Sequence, residues 1–293
     1  MTSKTCKFFL TWWLTQQVTG LTGPPMLDMA PNAFDDQYEG CVEEMEKRAP
    51  QLLQEDFNMN AELRLEWKNA EIKWNEIKNR ISSPKGFHDF HGIALVAYTG
   101  DMHKNFNDAT RDFRINRGNF HYKGFHYYLT RALQLLSNQG CRSVYRGSKT
   151  KFYYTGTGSV RFGQFTSSSL SMSVALDPEF FSPQGTLFII KTCLGVYIRT
   201  FSYYPNEEEV LIPGYEVYDK VTTENINGYI EISLDSPQRQ KSNFNCYYNG
   251  AARRSHFETS LSPFSSGSRE SCVSLFLVVL LGLLVQLLAR AEL

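Results

Sequence analysis

Three consecutive glutamates lead into an apolar stretch, and they are the strongest chemical signal in this sequence. Glu207, Glu208 and Glu209 are followed at once by Val, Leu and Ile, which predicts a strand that begins within the acidic run. Because side chains alternate across a strand, Glu207 and Glu209 are expected on one face, about 7 Å apart. Two carboxylates held so close repel each other, so a use for the pair is expected. The alternative interpretation is a solvated acidic loop.

A carboxylate pair suits reactions that pass through an oxocarbenium ion. Breaking an N-glycosidic bond develops positive charge on the sugar, and an ionised carboxylate beside the sugar stabilises that charge. The second carboxylate can hold or deprotonate the incoming nucleophile. The glutamate run therefore indicates chemistry at a sugar carbon.

Two other segments supply groups that fit this chemistry. Arg146 lies on a short predicted strand that ends at Gly147, and a planar guanidinium can bind a pyrophosphate in bidentate fashion. Ser167 lies in a hydroxyl-rich segment, residues 165–169, with no nucleophile-elbow pattern around it. Taken alone, the first is typical of a surface arginine and the second of an edge strand.

The elements that must position these groups divide into a helical and a strand-rich half. Apolar residues recur at helical spacing in residues 34–81 and 124–138. Short β-rich segments separated by Gly, Pro or Asn predict strands at residues 93–98, 144–146, 159–162, 165–167, 186–190, 209–212 and 229–233. This order predicts an α+β protein, with an N-terminal helical part packed on a β-sandwich.

The composition and the two ends indicate the compartment. Thirty acidic and 30 basic residues balance, so no net charge favours nucleic acid as a partner. Residues 1–20 have the pattern of a secretory signal peptide. Residues 266–293 contain a polar spacer and an apolar tail, typical of a removed GPI-anchor signal, with attachment expected at Ser265 and with Ser266 and Gly267 as alternatives. The mature catalytic domain is then residues 21–265, attached to the membrane by lipid; a spanning tail is the alternative.

Four cysteines remain in that mature chain, and an even number in an oxidising compartment suggests two disulfides. They are Cys41, Cys141, Cys193 and Cys246. Spacing leaves all three pairings open. No two of them stand at the C-x-x-C distance of a zinc site, and no metal site is predicted.

Arg146, Ser167 and Glu209 occur in the order of the R-S-E signature of arginine-type ADP-ribosyltransferases. Together with residues 32–38 and 126–133, they make the whole chain resemble the vertebrate ecto-ADP-ribosyltransferases. The resemblance implies a helical lobe, about residues 34–140, over a β-sandwich of two roughly perpendicular sheets, about residues 141–246. NAD would lie in the cleft between them as a substrate, and no other cofactor is implied.

The resemblance also implies roles for the reactive residues. Arg146 would bind the NAD pyrophosphate and the nicotinamide ribose. Ser167 would orient Glu209, and Glu209 would bind the ribose 2′-hydroxyl and stabilise the oxocarbenium ion. Glu207 would receive the acceptor arginine. Phe180 would stack on nicotinamide.

Further positions follow from the same resemblance. Tyr98, Gln164 and Ser202 match other NAD-contacting positions. The implied disulfides are Cys41–Cys246 and Cys141–Cys193.

The residue at position 207 separates two activities in this family. Relatives with Gln there mainly hydrolyse NAD, whereas a carboxylate attracts a guanidinium strongly. Glu207 therefore predicts transfer of ADP-ribose to arginines of cell-surface proteins, with NAD hydrolysis as a side reaction. The alternatives are an enzyme that is predominantly a NAD glycohydrolase and a catalytically silent surface receptor of the same fold. The intact Arg146, Ser167 and Glu209 set argues against the second. Tyr204 replaces an arginine that modifies itself in some relatives.

Overall fold

The structure is a computed structural model that describes residues 25–137, 140–236 and 239–249. The predicted signal peptide, the predicted anchor signal and Ser265 lie outside the described residues. Within the described ranges, no helix combines the length and the apolar composition needed to cross a bilayer.

Five α-helices make up most of the described N-terminal half. They are α1 (Val42–Met59), α2 (Ala61–Ile77), α3 (Asp89–Tyr98), α4 (His103–Arg111) and α5 (Lys123–Leu136). Asn60 separates the first two: it is extended, and its side chain accepts a hydrogen bond of 3.0 Å from the backbone N–H of Leu63 at the start of α2. Helices therefore occur in both segments where helical spacing predicted them, and the second of these helices runs over Lys123–Leu136.

The predicted strand at residues 93–98 is wrong, because these residues form the second half of α3. Every residue from His91 to Tyr98 is buried, so the segment is apolar on all sides and shows no alternation. An apolar run of this kind fits a buried strand and a buried helix equally well. Packing decides in favour of the helix: α3 lies against α2, so closely that a Cβ on Gly92 would come within 2.5 Å of the Trp74 ring.

In the described residues the C-terminal half contains most of the strands and one short α-helix, α6 (Met172–Ala175). The strands are β1 (Met26–Leu27), β2 (Arg142–Ser148), β3 (Tyr153–Tyr154), β4 (Thr166–Ser169), β5 (Thr186–Thr192), β6 (Val196–Tyr197), β7 (Glu209–Ile212), β8 (Glu216–Val217), β9 (Lys220–Ile226), β10 (Tyr229–Asp235) and β11 (Arg239–Gln240). The predicted strand at residues 159–162 is wrong: Val160 forms only an isolated bridge with Tyr218.

Seven strands form the main sheet in the order β6-β7-β4-β2-β5-β10-β9. Only β5 and β10 pair in parallel; the other neighbours are antiparallel. One residue pair, Tyr145 with Ser169, joins β2 to β4. The sheet therefore consists of a three-stranded and a four-stranded part, and the predicted α+β fold is confirmed.

One disulfide and one ion pair link the N-terminal half to the C-terminal half, and a second disulfide lies within the C-terminal half. The disulfides are Cys41–Cys246 and Cys141–Cys193, as the resemblance implied. Asp35 and Arg161, both buried, form an ion pair of 2.5 Å. Burial raises the pKa of Asp35, and the Arg161 charge opposes that rise. Because either charge would be costly to bury alone, the pair is expected to fix how the N-terminal segment lies on the sheet.

Candidate active site

A cleft of about 460 Å³ opens where β2, β4 and β7 meet the helical half. These strands are neighbours in the sheet, with Ser169 paired to Glu209 across β4 and β7. Arg146, Ser167, Glu207 and Glu209 all line the cleft. The sheet therefore brings together the four residues predicted to carry the chemistry, although 63 positions separate the first from the last.

Arg146 is held on the cleft wall by the neighbouring strand. Its Nη1 donates a hydrogen bond of 2.6 Å to the backbone oxygen of Ser167. Burial lowers the pKa of Arg146, while the Tyr98 and Glu209 charges oppose that shift. At Gly147 a Cβ would come within 2.0 Å of the Ala175 oxygen, so glycine lets α6 pack directly on β2. The guanidinium is thus positioned for an anion before any ligand binds.

Glu209 is the most perturbed carboxylate of the cleft. Only 6% of the residue is exposed. Burial raises its pKa to about 7, and the charge of Glu207 acts in the same direction. A hydrogen bond with Ser167 and the charge of Arg146 favour the ionised form. Such opposed influences on a buried carboxylate are typical of catalytic sites.

The turn before β7 corrects the predicted strand alternation. Glu207 ends a 3₁₀ helix, Pro205–Glu207, and Glu208 has the left-handed backbone with φ 48°. The strand begins only at Glu209, so the turn at Glu208, rather than the pleat of a strand, brings Glu207 and Glu209 to one cleft. Burial, and then the Glu179 charge, raise the pKa of Glu207.

Hydrogen bonds from β4 hold this turn in place. Ser169 Oγ donates to the backbone oxygen of Glu207 at 2.6 Å, and the Leu170 N–H donates to the backbone oxygen of Glu208 at 3.2 Å. The Glu208 side chain is directed elsewhere, with Oε1 4.0 Å from Arg199 Nη1. The positions of Glu207 and of the left-handed turn at Glu208 are therefore supported by Ser169 of β4 and by Leu170, which follows that strand.

The other predicted NAD contacts divide into two groups. Tyr98 and Phe180 line the cleft, and Asn107 Nδ2 donates to the Tyr98 hydroxyl at 3.1 Å. Gln164 and Ser202 are not among the lining residues. Ser202 Oγ instead accepts a hydrogen bond of 2.9 Å from the N–H of Tyr204, which lines the cleft. The contacts of all four with NAD stay predictions.

Sequence analysis missed several lining residues. His103 and Asn107 reach the cleft from α4, four residues apart on one helical face. Lys149 extends the wall just beyond Arg146, and Glu179 precedes Phe180. The four-residue spacing of His103 and Asn107 is visible in the sequence, but nothing in the sequence places α4 at the same cleft as β2.

One group of possible metal ligands occurs among the described residues, outside the cleft. Ligand atoms of Glu46, His88 and His91 lie within 4.8 Å of one another. His91 Nδ1 accepts a hydrogen bond from the His88 N–H, so the neutral ring carries its proton on Nε2, 3.7 Å from Glu46 Oε1. His88 Nε2 lies 3.2 Å from the other Glu46 oxygen. The geometry is that of a carboxylate between two ring N–H groups.

The raised pKa of Glu209 predicts a pH dependence. If ionised Glu209 stabilises the cation, kcat/KM for NAD rises with pH through about 7. Ser167→Ala removes the hydrogen bond that favours the carboxylate, so the midpoint of this rise moves to higher pH. Steady-state kinetics between pH about 5 and about 9 measures both midpoints. Ser143→Ala, an exposed position on β2, is the control; equal midpoints in both variants would contradict the role of Ser167.

Comparison with known proteins identifies the family of this chain. The family model of NAD:arginine ADP-ribosyltransferases matches residues 27–242. Mouse T-cell ecto-ADP-ribosyltransferase 2 is 72% identical over 293 residues, covering 100% of both chains. Mouse GPI-linked NAD(P)(+)–arginine ADP-ribosyltransferase 1 is 38% identical over 273 residues, covering 87% of this chain and 82% of its own.

The solved structures agree with the same assignment. The crystal structure of the eukaryotic mono-ADP-ribosyltransferase ART2.2 matches with a TM-score of 0.74 and 69% identity, over 77% of this chain and 100% of that one. A variant of ART2.2 has been solved in complex with NAD. The chain therefore belongs to the NAD:arginine ADP-ribosyltransferase family.

Proposed function

We propose that this protein transfers ADP-ribose from NAD to arginine side chains of cell-surface proteins. The observation that carries the proposal is the pairing of a buried Glu209 beside Arg146 with Glu207 on the same cleft. The chain belongs to the NAD:arginine ADP-ribosyltransferase family, which supports the proposal. The intact set of Arg146, Ser167 and Glu209 argues against a silent receptor.

The reaction starts with NAD held in the cleft. Arg146 binds the pyrophosphate, as a guanidinium does, and Phe180 stacks on nicotinamide. The N-glycosidic bond breaks, and nicotinamide leaves with the bonding electron pair. Ionised Glu209 stabilises the cation that develops on the ribose.

The acceptor then attacks the same carbon. A guanidine nitrogen of the acceptor arginine supplies the electron pair for the new N-glycosidic bond, and its proton passes to Glu207. The raised pKa of Glu207 makes it a better proton acceptor than an exposed glutamate. Water can attack the cation instead, so NAD glycohydrolase activity is proposed as a side reaction.

A product analysis tests the proposal. Full-length protein purified in detergent is offered NAD labelled on its ADP-ribose, with agmatine as a soluble acceptor. We expect ADP-ribosyl-agmatine as the main product, because Glu207 attracts the agmatine guanidinium. Mostly free ADP-ribose would make the enzyme a hydrolase and remove Glu207 from the acceptor site. Neither product would favour the silent receptor.

The outer face of the plasma membrane is the proposed location. Relatives of this chain are named ecto-enzymes, and one is named GPI-linked. Lipid attachment at Ser265 is part of the proposal, since that residue precedes the predicted anchor signal. Release of the protein from cells by a phosphatidylinositol-specific phospholipase C is the expected result; persistent attachment would favour a spanning tail.

A further inference from the structure

Three exposed apolar side chains follow β4 at the edge of the candidate active site. Leu170, Met172 and Leu176 are 36%, 38% and 37% exposed. Single exposed apolar residues are ordinary on protein surfaces, but a group beside a reactive cleft can mark an interaction site. We call these three residues the apolar rim.

The apolar rim is fixed to the turn that carries Glu207. The Leu170 N–H donates to the backbone oxygen of Glu208 at 3.2 Å. Leu176 N–H donates to the Met172 oxygen at 3.0 Å, so these two side chains lie one helical turn apart on a common face. Between them Ala175 lines the cleft.

The two sides of this edge differ in chemistry. Glu207 and Glu179 line the cleft and present carboxylates to a cationic group. The apolar rim offers only hydrocarbon and a thioether. A bound guanidinium contacts the carboxylates. It carries no apolar group that could pack on the apolar rim. A polypeptide acceptor brings more than a guanidinium, because its neighbouring residues lie about 3.8 Å further along the chain at each step.

We propose that the apolar rim selects acceptor polypeptides that carry an apolar side chain within a few residues of the modified arginine. The proposal rests on the proposed function and names a specificity surface for it. Covering the rim removes apolar surface from water on both partners, which favours such acceptors over polar ones. A small guanidine does not reach the rim and gains nothing from it.

Two matched peptides test this selection. The two peptides have the same length and the same charge, and each contains one arginine. Leucines flank the arginine in one peptide, and serines flank it in the other. Full-length enzyme is expected to modify the leucine peptide with kcat/KM about tenfold higher, the gain of burying part of one or two apolar side chains. The double variant Met172→Ser and Leu176→Ser should lose this preference. Its rate with agmatine should stay within about twofold of the unsubstituted enzyme, since no contact of the small acceptor is removed.

A surface substitution elsewhere is the matched control. Ile72 is 63% exposed on α2 and does not line the cleft, so Ile72→Ser should keep the preference for the leucine peptide. The proposed role of the apolar rim would be overturned if the unsubstituted enzyme used both peptides equally. It would also be overturned if the double variant kept the preference. If no acceptor, agmatine included, is modified, the proposed function fails and the rim fails with it. If the enzyme modifies agmatine but shows no preference between the peptides, only the proposed role of the apolar rim is overturned.

Discussion

Glu209→Gln is expected to abolish both ADP-ribose transfer and NAD hydrolysis. In the proposed mechanism the two reactions share one cation, which the ionised carboxylate of Glu209 stabilises. An amide keeps the shape but not the charge, so a loss of about a thousandfold or more is expected in both rates. Quantification of ADP-ribosyl-agmatine and free ADP-ribose with labelled NAD measures the two losses. Turnover of NAD at the unsubstituted rate would remove Glu209 from the catalytic role.

The same substitution is expected to stabilise the fold at neutral and alkaline pH. The pKa of Glu209 is raised from 4.5 to about 7, so between these values the folded state binds more protons than the unfolded chain. Stability therefore falls as pH rises through this window. Across this window the free energy of unfolding falls by at most about 3 kcal/mol, at 1.36 kcal/mol per pKa unit. Gln has no charge to bury and avoids this cost.

Thermal unfolding at pH about 5 and about 8 separates this effect from a general change in packing. The melting temperature of Glu209→Gln should exceed that of the unsubstituted protein by several degrees at pH 8, and the gap should narrow at pH 5. Glu224→Gln, at an exposed position of β9, serves as the control and should change little at either pH. A difference in melting temperature of equal size at both pH values would show that the buried charge of Glu209 does not cause it.

Glu207→Gln is expected to separate transfer from hydrolysis. The acceptor guanidinium loses its ionic partner and its proton acceptor, whereas water needs neither. Transfer to agmatine should fall about a hundredfold or more, and NAD hydrolysis should change only a few-fold. The ratio of conjugate to free ADP-ribose, measured in one reaction, reports this directly.

Glu208→Gln is the matched control for this experiment. It changes the neighbouring carboxylate, which lies near Arg199 and does not line the cleft, so the product ratio should stay unchanged. Equal loss of transfer and hydrolysis in Glu207→Gln would contradict the acceptor role. It would instead indicate that the turn before β7 needs Glu207 for its geometry.

The sequence by itself determined the family resemblance of this protein and most of its elements. The order of Arg146, Ser167 and Glu209 carries that resemblance, and the resemblance, rather than residue type alone, predicts their roles at NAD. The amphipathic helices and the alternating strands could be predicted from the sequence because one side of each faces the core. Family resemblance, rather than spacing, supplied the disulfide pairing.

Tertiary structure decided what local patterns leave open. Residues 93–98 are apolar on every side, so only their burial against α2 and the other helices makes them α3 instead of a strand. The left-handed turn at Glu208 depends on hydrogen bonds from Ser169 and Leu170, which lie nearly forty residues earlier. The pKa of Glu209 is raised because the surrounding fold removes water from it, and no sequence window contains that environment. The cleft therefore combines residues recognised from sequence with a geometry that long-range packing alone produces.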